Sequence, residues 1–147
     1  MNSTLQTVNS PLSSLLGYQL HRASITMMNS LRTRLKPLGF TPTLASIMII
    51  VNENEGIIQS QVAKFLSIER SNMVSLITSL EKKGLLSKEA IDGRSQKLLV
   101  TKEGSEVLKK VYVQIGLHEE EYKLLLGEAS SESMIDSLHS IWRSNQA

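Results

Sequence analysis

Two short segments of this sequence have the residue types and spacing to recognise another molecule. The first, "DGRSQ" (92–96), places Arg94 beside a glycine between two short apolar runs, as at the tip of a β-hairpin. The second, "RSNMVS" (70–75), concentrates short hydrogen-bonding side chains where a helix surface usually carries long charged ones. A guanidinium and a row of hydroxyl and amide groups make ion pairs and hydrogen bonds. Both segments therefore indicate binding chemistry.

Catalytic chemistry has no comparable signal in the sequence. The nucleophile motif G-x-S-x-G, the Walker A loop, the H-E-x-x-H zinc motif and the dinucleotide glycine fingerprint are all missing. The three histidines, His21, His118 and His139, have no metal-ligand spacing. The segment "HEEEY" (118–122) could hold a metal ion, but a solvated acidic helix face is the more ordinary interpretation. We expect no enzymatic activity, no cofactor and no metal site.

Basic residues are concentrated in the middle of the chain. Between Lys64 and Lys102 there are eight basic and four acidic residues, so this segment carries +4 while the whole chain carries +2. A basic centre in a mildly acidic frame suits a protein whose centre meets phosphates. The chain of 147 residues fits one domain, and the absence of cysteine excludes disulfides. Without a signal-peptide pattern or a long apolar run, we expect a cytoplasmic protein with no membrane partner.

Hydrophobic periodicity places both segments on elements of a mainly α fold that includes one small β-hairpin (α+β). Apolar residues at helical spacing predict helices at about 12–36, 41–56, 60–66, 70–84 and 102–126, and a last helix that Ser130 or Ser131 caps. Two strands, 85–88 and 97–100, flank the tip that carries Arg94. The residues of the short third helix that we expect to face the core are Val62, Ala63, Phe65 and Leu66.

The order helix, short helix, turn, helix and hairpin is that of a winged helix-turn-helix. In this geometry the helix that begins near Arg70 lies in the DNA major groove. Asn72 is the candidate to recognise a base, because its amide can bond adenine through two hydrogen bonds. Ser71 and Ser75 could reach a base edge or a phosphate, and Arg70 a phosphate or a guanine. The alternative is a solvated serine-rich face beside an arginine that is only a surface charge.

Two further elements are predicted to contact DNA. The start of the short third helix offers phosphates a backbone N–H and polar side chains, those of Gln59, Ser60 and Gln61. The hairpin becomes a wing that brings Arg94 toward the minor groove, where negative potential attracts a guanidinium. Gly93 is expected to supply the tight turn of the wing.

The run "LSIERSNMVSLITSLEKKGLLSKEAIDGRSQKLLVTKEG" (66–104) resembles the core of the MarR family of bacterial transcriptional regulators. The resemblance includes the D-x-R wing tip and the "LT-x-x-G" ending, present here as "VTKEG", and with the flanking helices it covers nearly the whole chain. It implies that Arg94 contacts DNA and that Asp92 orients this arginine.

The sequence departs from the family pattern at three positions. Gly93 replaces the middle arginine of a wing that often reads D-R-R, which weakens the expected grip on phosphates. Ser75 stands where an arginine is common, and Asn72 where a threonine is common. The operator sequence therefore does not follow from the resemblance.

The resemblance also implies an assembly and a mode of control. Family members are dimers that bind pseudo-palindromic DNA, and many are repressors released by a small, often aromatic, anion. We accordingly expect a homodimer, a double-stranded DNA operator and a small-molecule effector. The expected regions are a flexible arm (1–11), dimerisation helices (12–36 and 102–147) and a winged helix-turn-helix region (37–101). Apolar stripes in the first and last helices favour pairing independently.

The segment "LGYQLHRAS" (16–24) resembles the first helix of members that regulate aromatic-acid breakdown. Tyr18, His21 and Arg22 could supply a ring contact, a hydrogen bond and a countercharge for a carboxylate or its thioester. In the alternative interpretation, Tyr18 and His21 pack in a dimer interface and Arg22 is only a solvated charge. The alternative to a ligand-responsive regulator is a winged-helix module that binds DNA or a protein without sensing any ligand.

Overall fold

The computed structural model describes residues 10–144, which form six α-helices and one antiparallel hairpin. The helices are α1 (Leu16–Leu35), α2 (Pro42–Glu53), α3 (Gln59–Phe65), α4 (Arg70–Lys82), α5 (Lys102–Leu126) and α6 (Glu128–Arg143). The strands are β1 (Leu86–Ala90) and β2 (Gln96–Val100), and two short 3-10 helices, Pro11–Ser14 and Lys36–Leu38, flank α1. The mainly α fold with a small hairpin is confirmed.

Helix α2 lies at the centre of the core. Thr41 caps it by accepting a hydrogen bond from the Leu44 N–H (3.2 Å), and Pro42 occupies the first turn, where no N–H is needed. Its apolar side chains pack against α1, α3, α5 and β2. The buried residues of α2 are Leu44, Ala45, Ile47, Met48 and Val51.

Helix α4 turns one face to this core and the other to solvent. Met73, Ile77 and Leu80 are fully buried, as their helical spacing predicts. The helix ends before Gly84, whose φ of +71° is a left-handed conformation that favours glycine. The apolar stripe of α4 therefore determines which of its side chains are exposed to solvent.

The hairpin is attached to the body at its base. Leu86 pairs with Val100 and Ala90 with Gln96, so only residues 91–95 form the tip. The Leu98 N–H donates to the Ile57 carbonyl (2.8 Å), which joins β2 to the segment just before α3. The wing and α3 consequently have a fixed relative position.

Thr101 and Gly104 join the wing, α4 and α5 in one tight junction. The Thr101 hydroxyl donates to the Gly84 carbonyl (2.6 Å) and accepts from the Gly104 N–H (2.9 Å), while the Thr101 N–H donates to the Leu85 carbonyl (3.1 Å). A Cβ on Gly104 would lie 2.2 Å from the Leu85 oxygen and 3.0 Å from a methyl group of Val100. Only a glycine allows α5 to begin so close to the end of α4.

Two polar contacts link α5 to the helices beneath it. Tyr112 donates to the Glu53 carboxylate (3.1 Å) at the end of α2. The pKa of Tyr112 is raised above its ordinary value, mainly by burial of the phenol and secondly by its hydrogen bond to Glu53. Arg34 of α1 forms an ion pair with Glu121. These contacts hold α5 across both α1 and α2.

His118 corrects one expectation from the sequence. The run "HEEEY" was expected to form a solvated acidic face, and Glu119, Glu120 and Glu121 are exposed. His118 itself is completely buried, with its Nε2–H donating to the Met27 carbonyl of α1 (3.0 Å). The imidazole therefore belongs to the packing of α5 against α1.

Other local expectations also need correction. Phe65 is 63% exposed and does not face the core, because α3 buries Val62 and Ala63 instead. Helix α6 begins at Glu128 after Gly127, so neither Ser130 nor Ser131 is its cap; the Ser131 hydroxyl donates to the Gly127 carbonyl inside the first turn (2.9 Å). A 3-10 turn at Pro11–Ser14 replaces the first turn of the predicted first helix. Residues 1–9 of the predicted arm lie outside the described residues.

Large apolar side chains remain exposed on the terminal helices of the single chain. Those exposed on α1, α5 and α6 include Leu16, Ile25, Leu117, Leu124, Leu125, Met134, Ile135, Ile141 and Trp142. Among residues 10–144, no single helix is long and apolar enough to cross a membrane; a bent pair, Leu16–Leu38 with Pro42–Glu53, meets that condition by length and composition. The exposed stripes are the part of the fold that has no partner within the chain.

Replacing Gly104 with alanine tests the junction. We expect Gly104→Ala to lower the free energy of unfolding by about 1–3 kcal/mol, because the new Cβ overlaps the Leu85 carbonyl. Gly116→Ala in the same helix is the matched control, since its Cβ would meet nothing within 4 Å. That control should be stabilising by roughly 0.5–1 kcal/mol. Urea unfolding followed by circular dichroism measures both, and equal stability of the two variants would show that the junction is not closely packed.

Candidate nucleic-acid interface

A cleft of about 740 Å³ separates the wing from α3 and the start of α4. It opens between the first turns of the two helices and the tip of the hairpin. Its polar and charged lining includes Gln59, Ser60, Arg70, Lys88, Asp92 and Arg94. Three cations and one carboxylate face this cleft, which gives it the charge to hold a phosphate backbone.

The start of α3 divides the three side chains that were expected to act together. Gln59 and Ser60 line the cleft beside the wing. Gln61 instead turns back and accepts a hydrogen bond from the Ile58 N–H (3.0 Å), so its carbonyl oxygen caps α3. It lines a separate cleft of about 400 Å³ together with Phe65. The structure therefore does not bring Gln61 to the charged cleft.

The outer face of α4 carries the predicted base contacts. Ser71, Asn72 and Ser75 are all exposed in the first turns of the helix. Arg70, at the first helical position, lies between this face and the cleft that it lines. No side chain longer than asparagine stands on the outer face of these turns. A helix with such short side chains can approach base edges closely.

The wing tip is organised by Asp92 rather than by glycine. One oxygen of its carboxylate accepts hydrogen bonds from the backbone N–H groups of Arg94 (2.8 Å) and Ser95 (2.8 Å). Both bonds lower the pKa of Asp92, and the bond from Arg94 has the larger effect. Gly93 lies in this turn but has no left-handed φ, so the turn does not require the conformational freedom of a glycine. The hydrogen bonds of Asp92 reach the backbone of residue 94, so Asp92 holds the loop that presents the arginine.

Lys88 is a member of the cleft that the sequence did not single out. It lies on β1 and forms an ion pair with Glu81 of α4 (3.0 Å). This contact ties the wing to α4 and places an ammonium group on the wall of the cleft. The signal available beforehand was its position in the basic segment, at the last residue of a predicted strand.

The predicted ligand residues are not gathered around a cavity of the single chain. Tyr18 is half-buried on α1, while His21 and Arg22 are exposed. None of the three lines either cleft described above. Among residues 10–144, no cluster of three or more His, Asp or Glu side chains could hold a metal ion.

Known proteins that resemble this chain in sequence and fold show its family. The sequence profile of the MarR family matches residues 40–95, which extend from the turn before α2 to the wing tip. The fold superposes with a TM-score of 0.84 on the transcriptional repressor CouR bound to a 23-mer DNA duplex. The two sequences are 30% identical, and the match covers 88% of this chain and 94% of that one. The chain belongs to the MarR family.

A second CouR structure and one further relative match to a similar extent. CouR bound to p-coumaroyl-CoA gives a TM-score of 0.85 with 27% identity, over 94% of this chain and 99% of that one. A proposed transcriptional regulatory protein for the hcr operon of Thauera aromatica is 27% identical over 97% of this chain and 88% of its own length. The protein is thus a DNA-binding transcriptional regulator of the winged-helix type and not an enzyme.

Removing the wing arginine tests the charged cleft. With an operator selected by the wild-type protein from random duplexes, Arg94→Ala should weaken binding and reduce the salt dependence by about one counterion per subunit. Arg94→Lys should recover only part of the loss, because an ammonium lacks the planar fork of the guanidinium. Gel-shift titrations at several salt concentrations measure both quantities. An Arg94→Ala protein with wild-type affinity and salt slope would show that the wing does not contact DNA.

Two variants of Asp92 separate loop support from charge in the same assay. Asp92→Asn keeps an acceptor oxygen for the N–H groups of Arg94 and Ser95, whereas Asp92→Ala removes it. Both remove the same negative charge, so a difference in affinity between them reports the support of the loop. We expect the alanine variant to bind the operator more weakly than the asparagine variant. The same hydrogen bonds hold the pKa of Asp92 below its ordinary value, so their stabilising effect is lost as the pH falls through that lowered value.

Adding an arginine at the wing tip is the complementary test. Gly93 lacks a left-handed φ, and a Cβ there would meet nothing within 4 Å, so Gly93→Arg should fold normally. The added cation should tighten DNA binding and increase the salt dependence by about one counterion per subunit. Titration of random duplex DNA is sufficient, because phosphate contacts do not depend on sequence. An unchanged salt slope would place residue 93 away from the phosphates.

Proposed function

We propose that this regulator is a dimeric repressor of a bacterial operon, which binds a pseudo-palindromic operator and releases it when a small aromatic anion or its thioester binds. The observation that carries the proposal is the cationic cleft beside the short polar face of α4. Such a pairing supplies phosphate contacts for affinity and base contacts for specificity. The relative CouR, 30% identical, is a repressor bound to a 23-mer duplex.

The proposed DNA contacts divide by chemistry. The residues that line the cleft are proposed to contact phosphates or the minor groove; they are Gln59, Ser60, Arg70 and Arg94. Asp92 holds the wing loop. The side chains proposed to meet the major groove are Ser71, Asn72 and Ser75. Gln61 is not among the proposed contacts, since its oxygen caps α3 and its side chain lines the separate cleft. These residues belong to the proposed DNA-binding region, 37–101.

A second copy of the chain is proposed to cover the exposed apolar stripes. The regions proposed to form the interface are 12–36 and 102–147, of which the described part carries most of the exposed large apolar side chains. A two-fold dimer would cover the same patch on both copies and present two α4 helices to two half-sites. The pseudo-palindromic operator follows from that symmetry. Since the operator lies in the bacterial cytoplasm, the protein is placed there as well.

The proposed ligand site involves the first turns of α1. Arg22 and His21 are exposed there beside the half-buried Tyr18, on the helix that the dimer is proposed to cover. Arg22 would neutralise an anion, Tyr18 would contact an aromatic ring and His21 would donate a hydrogen bond. The relative CouR is bound to p-coumaroyl-CoA, an aromatic acyl thioester. We therefore propose the same chemical class of effector for this chain.

The function is tested by combining dimerisation, DNA release and a ligand-site variant. We expect sedimentation velocity at micromolar concentration to show a dimer, and p-coumaroyl-CoA to release the selected operator. Free p-coumarate and free coenzyme A identify which half of the ligand is needed. Arg22→Ala should leave operator binding unchanged without ligand and raise the concentration needed for release about tenfold or more, because a charge-assisted contact is worth roughly 1.5–3 kcal/mol.

The outcomes distinguish the competing functions. Salt-dependent operator binding that no aromatic acid or thioester changes would support a winged-helix regulator without an effector. A stable monomer would overturn the two-fold arrangement and with it the pseudo-palindromic operator. A protein that binds no duplex above background, even at low salt, would leave only the module for protein contact.

A further inference from the structure

Val74 is the only exposed large apolar side chain on α4, all of whose residues the structure describes. It is 47% exposed, whereas the adjacent Met73 is completely buried. Ser71 and Thr78, one turn before and one turn after it, lie on the same side of the helix. A single exposed valine is ordinary on a protein surface. This valine is of interest because it lies among the side chains proposed to contact bases.

The chemistry of valine restricts what it can recognise in a DNA groove. Its side chain has no donor or acceptor, so it cannot distinguish bases through hydrogen bonds. The apolar group that bases present in the major groove is the C5-methyl of thymine. Its neighbours one turn away on the helix are Arg70, which lines the cleft, and Ser71 and Thr78, which are short and neutral. A branched side chain of valine's length is then long enough to touch a thymine methyl.

We propose that Val74 is a specificity-determining residue that selects thymine at one position in each operator half-site. This inference rests on the proposed DNA-binding function and adds a base preference to it. The contact removes apolar surface of both partners from water, which is favourable for thymine only. Cytosine at that position has only a hydrogen on C5, so the apolar contact is lost, and valine offers no acceptor to the neighbouring N4 amino group. Val74 therefore favours one base and disfavours another.

Replacing thymine with deoxyuridine removes only the methyl group and leaves every hydrogen bond of the base pair. The probe is the duplex that the wild-type protein selects from a random library, with each thymine replaced in turn. We expect one thymine position per half-site to be sensitive, with about fourfold weaker binding when its methyl group is missing. Replacing both half-sites together should give about the square of that factor, because the two contacts are far apart.

Three variants assign the effect to Val74. Val74→Ser, which keeps the exposed surface polar, should bind the thymine and deoxyuridine duplexes equally. Val74→Ile should retain the difference because it keeps a branched apolar side chain. Asn72→Ala, a control at the other edge of the exposed side of α4, should weaken binding to both duplexes and leave their ratio unchanged. Circular dichroism and the melting temperature confirm that each variant folds.

The outcomes separate this inference from the function on which it rests. Sequence-selective, salt-dependent binding without any deoxyuridine-sensitive position would overturn the role of Val74 and leave the DNA-binding function standing. A Val74→Ser protein that still discriminates between the duplexes would assign the methyl contact to another residue. If the selection enriches no sequence at all, both the inference and the proposed operator recognition fail.

Discussion

The close contact between Gly104 and the Leu85 carbonyl is the constraint on which the rest of the structure depends. The hydroxyl of Thr101 bridges the Gly84 carbonyl and the Gly104 N–H, so three elements meet at one side chain. Helix α4 ends there, both strands of the wing have their base there, and α5 begins there. A side chain at position 104 would push α5 away, because a Cβ has no room beside Leu85. The positions of the DNA-facing helix and of the wing are thus set by packing at the far end of both.

Helix α5 continues from that junction to the helices that carry the exposed apolar stripes. Tyr112 bonds Glu53 at the end of α2, and further along His118 bonds the Met27 carbonyl of α1. A shift of α1 or α6 against a second copy would therefore also move α5. The first turn of α5 cannot follow freely, because it is packed against Leu85. In the proposed dimer, this geometry offers a physical route by which the proposed ligand near α1 would change the separation of the two α4 helices. The route consists of packed helices and hydrogen bonds that are all present within one chain.

Much of this fold was predictable because its signals are local. The Thr41–Pro42 start of α2, the glycine at 84 and the threonine cap of α5 are all written in a few adjacent residues, and α5 spans the predicted Lys102–Leu126. Two of the errors concern side chains whose surroundings come from distant segments. His118 is buried because α1 crosses over it, and Phe65 is exposed because the core accepts only the Val62 side of α3. The cap made by Gln61 was available from the sequence, since a glutamine at the third helical position is a known cap partner.

The candidate interface separates affinity from specificity in space. The cations Arg70, Lys88 and Arg94 line the cleft between wing and helices, whereas the outer face of α4 has no charged side chain between Ser71 and Thr78. Contacts to phosphates are long-ranged and depend on salt, while contacts from short side chains need the helix within van der Waals distance of the bases. In the proposed complex, the wing and α3 must therefore bring α4 to the groove before Asn72 or Val74 could distinguish one base from another. Their fixed attachment, through the Leu98–Ile57 hydrogen bond and the Lys88–Glu81 ion pair, is what makes short side chains sufficient for that task.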